Sequence, residues 1–356
     1  MLPFERGTAN RAVPPVTGGR WVGSAVVDSE FWISELTDDD VPAVVALCQS
    51  ALDLPEDAAE AAEIVLRLRE TTGTEGWAPA PRRLAGFIAL VPAEAALDLA
   101  GAALSGVPMS ATGGRVVGVV LGSVSHRDSS IGHLDLIAVE PEQRRRGIGR
   151  ALLGRVEAAL AGLGADEVVI AGNAPFYAWP GIDVRYTPAI CAAMALGFEQ
   201  DQPAWNMTAV VGDESTAEAE KQLAEKGVTV RRAVLEDVPA LVEFSLANFG
   251  PPWAGEISHS VGRERAGCHI AVDGTGKILG FAAYGSSRPS WFGPMGTAPA
   301  GRGLGIGGVL LRRCLQDQKA NGHDSVQIGW VGPLPFYSGQ VGARVERVFF
   351  LYRKQL

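Results

Sequence analysis

The sequence predicts two tandem α/β domains related by duplication. Its 356 residues, 47 % of them hydrophobic, exceed what one core needs. A glycine loop occurs twice, as PEQRRRGIGRALL from Pro141 and PAGRGLGIGGVLL from Pro299. Landmarks on both sides of the loop recur in the same order: Asp40-Val41-Pro42-Ala43 matches Asp237-Val238-Pro239-Ala240, and NAPFY ending at Tyr177 matches PLPFY ending at Tyr337.

Residues 1–29, with Pro14-Pro15 and Gly18-Gly19, read as an irregular arm. The first domain is expected over 30–211. It opens with a strand at Phe31-Trp32-Ile33, then a helix with an acidic start and proline in its first turn. The paired landmarks are separated by 197 residues (Asp40 to Asp237), 158 (Arg144 to Arg302) and 160 (Tyr177 to Tyr337). The first copy therefore carries an insertion, placed at about 52–114. It holds an amphipathic helix over Asp57–Thr71 and an apolar segment over Leu84–Leu104, and an insertion there can shape a substrate pocket.

Ile131–Val139 reads as a strand that Pro141 ends, and Arg150–Leu163 has helical apolar spacing. A second strand is expected at Glu167–Ala171. A polar stretch over 212–227 links to the second domain, 228–356, which opens with Val228–Arg231 and repeats a strand at Ser325–Trp330.

Composition narrows the function. A net charge of −9 argues against a general nucleic-acid surface or an anionic-membrane surface. No leader pattern or run of membrane-spanning length is seen, and Cys48, Cys191, Cys268 and Cys314 have neither disulfide nor zinc spacing. A cytoplasmic protein with reduced thiols and no metal is expected.

The duplicated loop lies where a strand gives way to a helix. Gly147 and Gly149 let backbone approach a ligand, so the free N–H groups at the helix start can converge on phosphate oxygens, and Arg144, Arg145 and Arg146 add charged donors. Neither copy has the Gly-Lys-Ser/Thr of a nucleotide phosphate loop. Gly303-Leu304-Gly305-Ile306-Gly307-Gly308 fits a dinucleotide pattern, but Asp324 precedes the next strand instead of ending it, and the first copy lacks the third glycine.

Val139-x-Pro141-x-x-Arg144-x-x-Gly147-x-Gly149 resembles the acyl-CoA pyrophosphate motif of the GNAT N-acyltransferases, and Thr297-x-Pro299-x-x-Arg302-x-x-Gly305-x-Gly307 resembles a second copy. The resemblance implies two GNAT-like α/β (α+β) domains, each a mixed, mostly antiparallel twisted sheet flanked by helices. It implies acetyl-CoA or another acyl-CoA as donor, held by Arg144, Arg145, Arg146, Gly147, Ile148, Gly149 and Arg150. Backbone N–H groups for the thioester then fall on Leu136–Val139, including Ile137, Ala138 and Val139. The second copy's counterparts are Met295, Thr297, Arg302, Gly303, Gly305 and Gly307. Asn173 would hold pantetheine amides.

Acyl transfer to an amine needs a base and a proton for the departing thiolate. Strand alternation puts His133, Asp135 and Ile137 on one face, making His133 and Asp135 the candidate bases. The second copy has Trp291 and Gly293 there, which favours catalysis in the first domain. Family members commonly carry a tyrosine four residues before a Gly-Phe pair, but that place is Ala193, ahead of Gly197-Phe198. Tyr177 is the chosen proton donor, with Tyr186 as alternative. Trp179, Trp205, Trp253 and Trp291 can wall an acceptor pocket between the domains, and Glu256 and His259 can act on a substrate of the second domain.

The expected activity is N-acylation, most simply acetylation, of a small-molecule primary amine. The resemblance includes two-domain members from thiol biosynthesis and antibiotic gene clusters, and the excess of arginine, alanine and glycine over lysine fits a GC-rich genome such as an actinomycete's. The alternatives are a non-catalytic acyl-CoA sensor and an acyltransferase taking its acyl group from an acyl-carrier protein.

Overall fold

A computed structural model describes residues 30–71, 83–92, 108–125, 127–212 and 215–356. The expected N-terminal arm and residues 93–104 of the apolar segment lie outside the described residues. Residues 31–356 form one compact unit.

The first half begins with β1 (Trp32–Glu35) and α1 (Val41–Ala51). Asp40 ties this start to the chain before it and to Ser110: its carboxylate accepts from Thr37 N at 3.0 Å, Thr37 Oγ1 at 2.7 Å and Ser110 Oγ at 2.6 Å. The single helix expected over Asp57–Thr71 is two, α2 (Pro55–Ala59) and α3 (Ala61–Arg69). The break at Glu60 has a physical reason. It lets Asp57 and Glu60 both reach Arg288, at 2.6 Å each. Next come β2 (Leu84–Val91), β3 (Arg115–Val124), β4 (Ile131–Val139), α4 (Ile148–Gly162), β5 (Glu167–Ile170), β6 (Ile182–Asp183), α5 (Thr187–Ala195) and β7 (Glu199–Val210).

After α6 (Ala217–Glu225), the series recurs as β8 (Val228–Arg232), α7 (Val238–Asn248), α8 (Pro251–Ser260), β9 (Gly267–Asp273), β10 (Ile278–Tyr284), β11 (Trp291–Thr297), α9 (Ile306–Ala320), β12 (Ser325–Ile328), α10 (Leu334–Val341) and β13 (Arg344–Gln355). The duplicated landmarks have equal lengths: α1 and α7 have 11 residues each, and α4 and α9 have 15 each.

All these strands join one sheet in the order β1-β2-β3-β4-β5-β13-β7-β12-β11-β10-β9-β8, with β6 paired to β13. It is mostly antiparallel, and β4–β5 and β11–β12 are parallel. The two final strands are exchanged. β13, from the second half, pairs with β5 of the first, while β7, from the first half, pairs with β12 of the second. The exchanged strands pair with each other along most of their length.

Apolar side chains cover both faces of the sheet. In the first half, α1 and α3 pack on one face through Leu47, Ile64, Leu68 and Val119, and α4 packs on the other through Leu152, Val156 and Leu160. Gly118 and Gly122 on β3 permit that closeness, since a Cβ at Gly122 would lie 2.7 Å from Val156 Cγ2. Among the described residues no helix is long and apolar enough to cross a membrane, and no group of three or more His, Cys, Asp or Glu is placed to hold a metal ion.

Candidate active site

The first glycine loop connects β4 to α4. Gly147 has φ +88°, a left-handed conformation that a side chain disfavours, and stands at the helix N-cap with no side-chain cap. The first helical N–H groups therefore face outward without a capping side chain. A Cβ on Gly147 would meet nothing within 4 Å, and one on Gly149 only Val139 Cγ2 at 3.9 Å, so backbone is open to a ligand at both. Arg145 also has a left-handed φ of +67° and is exposed, as is Arg150. Arg146 donates to Gln143 Oε1 at 2.7 Å. Arg144 turns back: its guanidinium donates to Val139 O (3.1 Å), Ala51 O (2.8 Å) and Asp53 Oδ1 (3.1 Å), bracing the loop against the end of α1.

Just upstream, β4 and β5 part. Their parallel rungs run from Ile131 to His133 and stop, so β4 beyond His133 has no strand partner on that side among the described residues. The register of β3 against β4 slips between Leu121 and Gly122, leaving Asp135 as an extra residue on β4. This bulge corrects the expected alternation. Leu134 and Ile137 pack with the α4 cluster, whereas Leu136 and Ala138 pack with the α1–α3 cluster. A cavity of about 40 Å³ opens at the parting, lined by Leu68, Asp135, Gly172, Tyr177 and Trp179 among others.

His133 is buried, with Nδ1 2.8 Å from Ala171 O across the last rung. Asn173 is buried too. Its amide nitrogen donates to Ser123 Oγ at 2.9 Å, and its Oδ1 has no hydrogen-bond partner among the described residues. Tyr177 lines the cavity and is buried, its ring against Trp291 and Trp330 of the second half. Burial pushes that phenol's pKa well above the ordinary value. Glu256, four per cent exposed on α8, is pushed up to about 8 by burial. His259, on the same helix, is instead 3.2 Å from Glu70 and stacks edgewise on Phe176.

Tyr186, the alternative donor, gives its hydroxyl to Asp57 Oδ2 at 3.1 Å. Of the tryptophans, Trp291 and Trp330 lie against the Tyr177 ring and Trp179 donates to Asp57 Oδ2 at 3.0 Å. Trp253 sits among Phe249 and Phe281 in the second core. Trp205 is half-buried, its Nε1 without a partner among the described residues.

The second loop repeats the backbone without the space. Gly305 caps α9 with φ +94°. β11 carries its extra residues at Gly293-Pro294, where the register against β10 shifts, and its rungs to β12 stop at Phe292. A Cβ on Gly307, however, would lie 3.2 Å from Phe336 Cζ and 3.5 Å from Met295 Cε. Met295, Leu304, Leu334 and Phe336 pack onto the second core at this place. Phe176, the counterpart of Phe336, points elsewhere, into a cluster with Val242 and Ala254. Gly303 and Gly305 stay open, and Thr297 lies against Gly280 and Gly301.

Sequence reasoning missed the charged group beneath the cavity. Asp57 is fully buried and accepts from Arg288 Nη1 at 2.6 Å and from both Nη atoms of Arg347 at 3.0 Å. Arg347 also donates to buried Asp183 at 2.7 Å. The two guanidinium groups hold the Asp57 carboxyl down to about 2, against the opposing effect of burial. No local pattern announces these partners, which are more than 200 residues apart.

Residues 64–178 match the model of the acetyltransferase (GNAT) family. A mycothiol acetyltransferase from Clavibacter sepedonicus is 27 % identical over 217 residues, covering 58 % of this chain and 66 % of that protein. Among solved structures, a GCN5-related N-acetyltransferase from Sphaerobacter thermophilus has a TM-score of 0.58 at 18 % identity, covering 92 % of this chain and 96 % of that one. A tandem GNAT protein from the clavulanic acid biosynthesis pathway scores 0.59 at 17 %, covering 92 % and 98 %. A glucosamine N-acetyltransferase region of a fungal multi-domain β-N-acetylglucosaminidase scores 0.66 at 18 %, covering 94 % of this chain and 39 % of that chain. Residues 64–178 thus match the acetyltransferase (GNAT) family model, within a chain whose fold is shared with a tandem GNAT protein.

Proposed function

We propose that the protein is an acyl-CoA-dependent N-acyltransferase whose donor site lies in the first half and whose acceptor is the primary amine of a small molecule. One contrast carries the reading: backbone at Gly149 is open, a Cβ there meeting only Val139 Cγ2 at 3.9 Å, whereas Phe336 and Met295 crowd the matching Gly307 in the second half. The residues present fit the donor. Open backbone at Gly147 and Gly149 suits pyrophosphate, and the unpartnered Asn173 Oδ1 suits a pantetheine amide N–H.

Acetyl-CoA would supply an activated acyl carbon as a thioester. The chain's own groups do the rest. Arg145, Arg146, Arg150 and the N–H groups from Gly147 to Arg150 hold phosphate, with Arg144 bracing the loop. Backbone N–H groups among Ile137, Ala138 and Val139 polarise the carbonyl oxygen. Asp135, directly or through water, takes the proton from the incoming amine, and His133 fixes the last rung beside it. Tyr177 supplies the proton to the departing sulfur. Met295, Thr297, Arg302, Gly303, Gly305 and Gly307 serve as scaffold. We read the halves, 30–211 and 228–356, as duplicated domains, and place the protein in the cytoplasm.

The test is native mass spectrometry of the purified protein with acetyl-CoA, followed by turnover with a panel of primary amines. Gly149→Glu puts a carboxylate where pyrophosphate would lie, and is expected to abolish binding; Gly307→Glu is expected to retain it. Loss of binding with Gly307→Glu alone overturns the assignment to the first half. Binding without turnover would favour the sensor reading, which Ala193 at the family's tyrosine place supports. Turnover only from a loaded acyl-carrier protein would favour that donor. The mycothiol acetyltransferase relative makes amines of thiol biosynthesis the first acceptors to try, and aminated intermediates of secondary metabolism the second.

A further inference from the structure

A second cleft, of about 140 Å³, opens in the second half, lined by Arg232, Arg263, Arg265, Tyr284, Asp317 and Asn321 among others. It lies towards the opposite end of α9 from the second glycine loop, Asp317 being about 18 Å along the helix from Gly305. Three parts of the fold bring the donors together. Arg232 ends β8, Arg263 and Arg265 stand in the turn between α8 and β9, and Asn321 caps the C-terminal end of α9. Gly267 gives the heads room: a Cβ there would lie 2.6 Å from Arg232 Nη2 and 2.9 Å from the Tyr284 hydroxyl oxygen. Arg265 takes a left-handed φ of +57°, disfavoured for an arginine, in the turn that sets it on the same cleft as Arg263.

The acids around the cleft are already engaged. Asp317 accepts from Arg232 and from the Tyr284 hydroxyl at 3.2 Å, and lies 2.8 Å from His269 Nε2. Glu70 is shared: Arg67 donates to it at 2.7 Å and Arg263 at 3.0 Å, and His259 lies 3.2 Å away. Glu63 meets Arg265 loosely, at 3.5 Å, where both side chains are largely in solvent. In these pairs Arg67, Arg232, Arg263 and Arg265 share Asp317, Glu63 and Glu70, four cations against three anions. A cleft walled by three guanidinium groups and one paired carboxylate thus carries a surplus of positive charge.

We propose that this cleft binds the phosphate group of a small phosphate monoester, at a site separate from that of the acyl donor. Each guanidinium presents N–H groups in a planar fork that matches phosphate oxygens in pairs. A monoester dianion offers three terminal oxygens to three forks, whereas a single carboxylate offers two. Asn321 adds an amide donor at the helix end. The volume suits a phosphate group and falls short of the roughly 300 Å³ or more of a pocket that encloses a whole ligand, so the organic part of the molecule stays in solvent.

The test is calorimetric titration of the full chain carrying Gly149→Glu, which closes the first glycine loop to phosphate. Inorganic phosphate, glycerol 3-phosphate and malonate are added in turn at one ionic strength, and the series is repeated with Arg265→Asn, Arg263→Gln or both in addition. Arg265 is exposed and asparagine tolerates its left-handed backbone, so the fold is expected to survive, as circular dichroism would show. Both phosphate compounds are expected to bind once per chain, about tenfold or more tighter than malonate. Each single substitution is expected to weaken them about 10- to 100-fold, the loss of a charge-assisted hydrogen bond. The proposal falls if neither phosphate compound binds, if the folded arginine variants bind as tightly as their parent, or if malonate matches phosphate. Binding of inorganic phosphate alone would overturn the monoester assignment. Loss of acetyl-CoA binding on Arg265→Asn in the otherwise wild-type chain would make the cleft part of the donor site, and overturn the proposal too.

Discussion

At the scale of single residues, Asp57 and Glu256 are buried carboxyl groups in opposite circumstances. Asp57 faces two guanidinium groups, which hold its carboxyl down to about 2; burial pushes that of Glu256 up to about 8. Replacing Asp57 by Asn would leave Arg288 and Arg347 without their shared counter-charge, and should cost about 3–5 kcal/mol of stability in denaturant unfolding at pH 7. Their pH dependences have opposite signs. The Asp57 carboxyl is depressed, so its contribution is present above the unfolded value of about 3.9 and is lost as pH falls towards about 2. The Glu256 carboxyl is raised, so its contribution is full below about 4.3 and is lost as pH rises through about 8. Unfolding free energy measured between those pH values should fall less steeply in Glu256→Gln than in the wild type. The strand, glycine loop and helix around Gly147 and Gly149 were legible because they are contiguous in sequence. Asp57 was not, because its partners Arg288 and Arg347 lie 231 and 290 positions away.

At the scale of elements, periodicity and punctuation located β4, α4, β5 and their repeats to within a few residues, since each sets its own pattern of apolar side chains. Two features escaped. The break at Glu60 serves a distant arginine, and the bulge at Asp135 depends on the register of β3, which the β4 sequence does not encode. The exchange of β7 and β13 was equally hidden, because side-chain patterning marks a strand but not its partner. It carries a test. Residues 30–211 expressed alone would leave β5 without β13, and β7 of a second copy is the available substitute. Sedimentation should therefore find a dimer; a stable monomer would mean that β7 can return to its own half.

At the scale of the whole molecule, one sheet runs through both halves and α3 meets the second half through Arg263 with Glu70 and Arg265 with Glu63, at 3.0 and 3.5 Å. Two cores thus share a backbone ladder. Unfolding should be a single transition, with tryptophan fluorescence and far-ultraviolet circular dichroism superimposing; two resolved transitions would show that the halves melt separately. Three short landmarks recur in both halves, but nothing in them revealed that the halves share one sheet.

The interlocking also has an order in time. β13 fills the middle of the sheet but is made after every other strand described, so a chain still emerging from the ribosome must hold β5 and β7 apart, or pair them provisionally, until residues 344–355 arrive. The residues that begin the glycine loop are thus translated some two hundred codons before the sheet beside them can be finished.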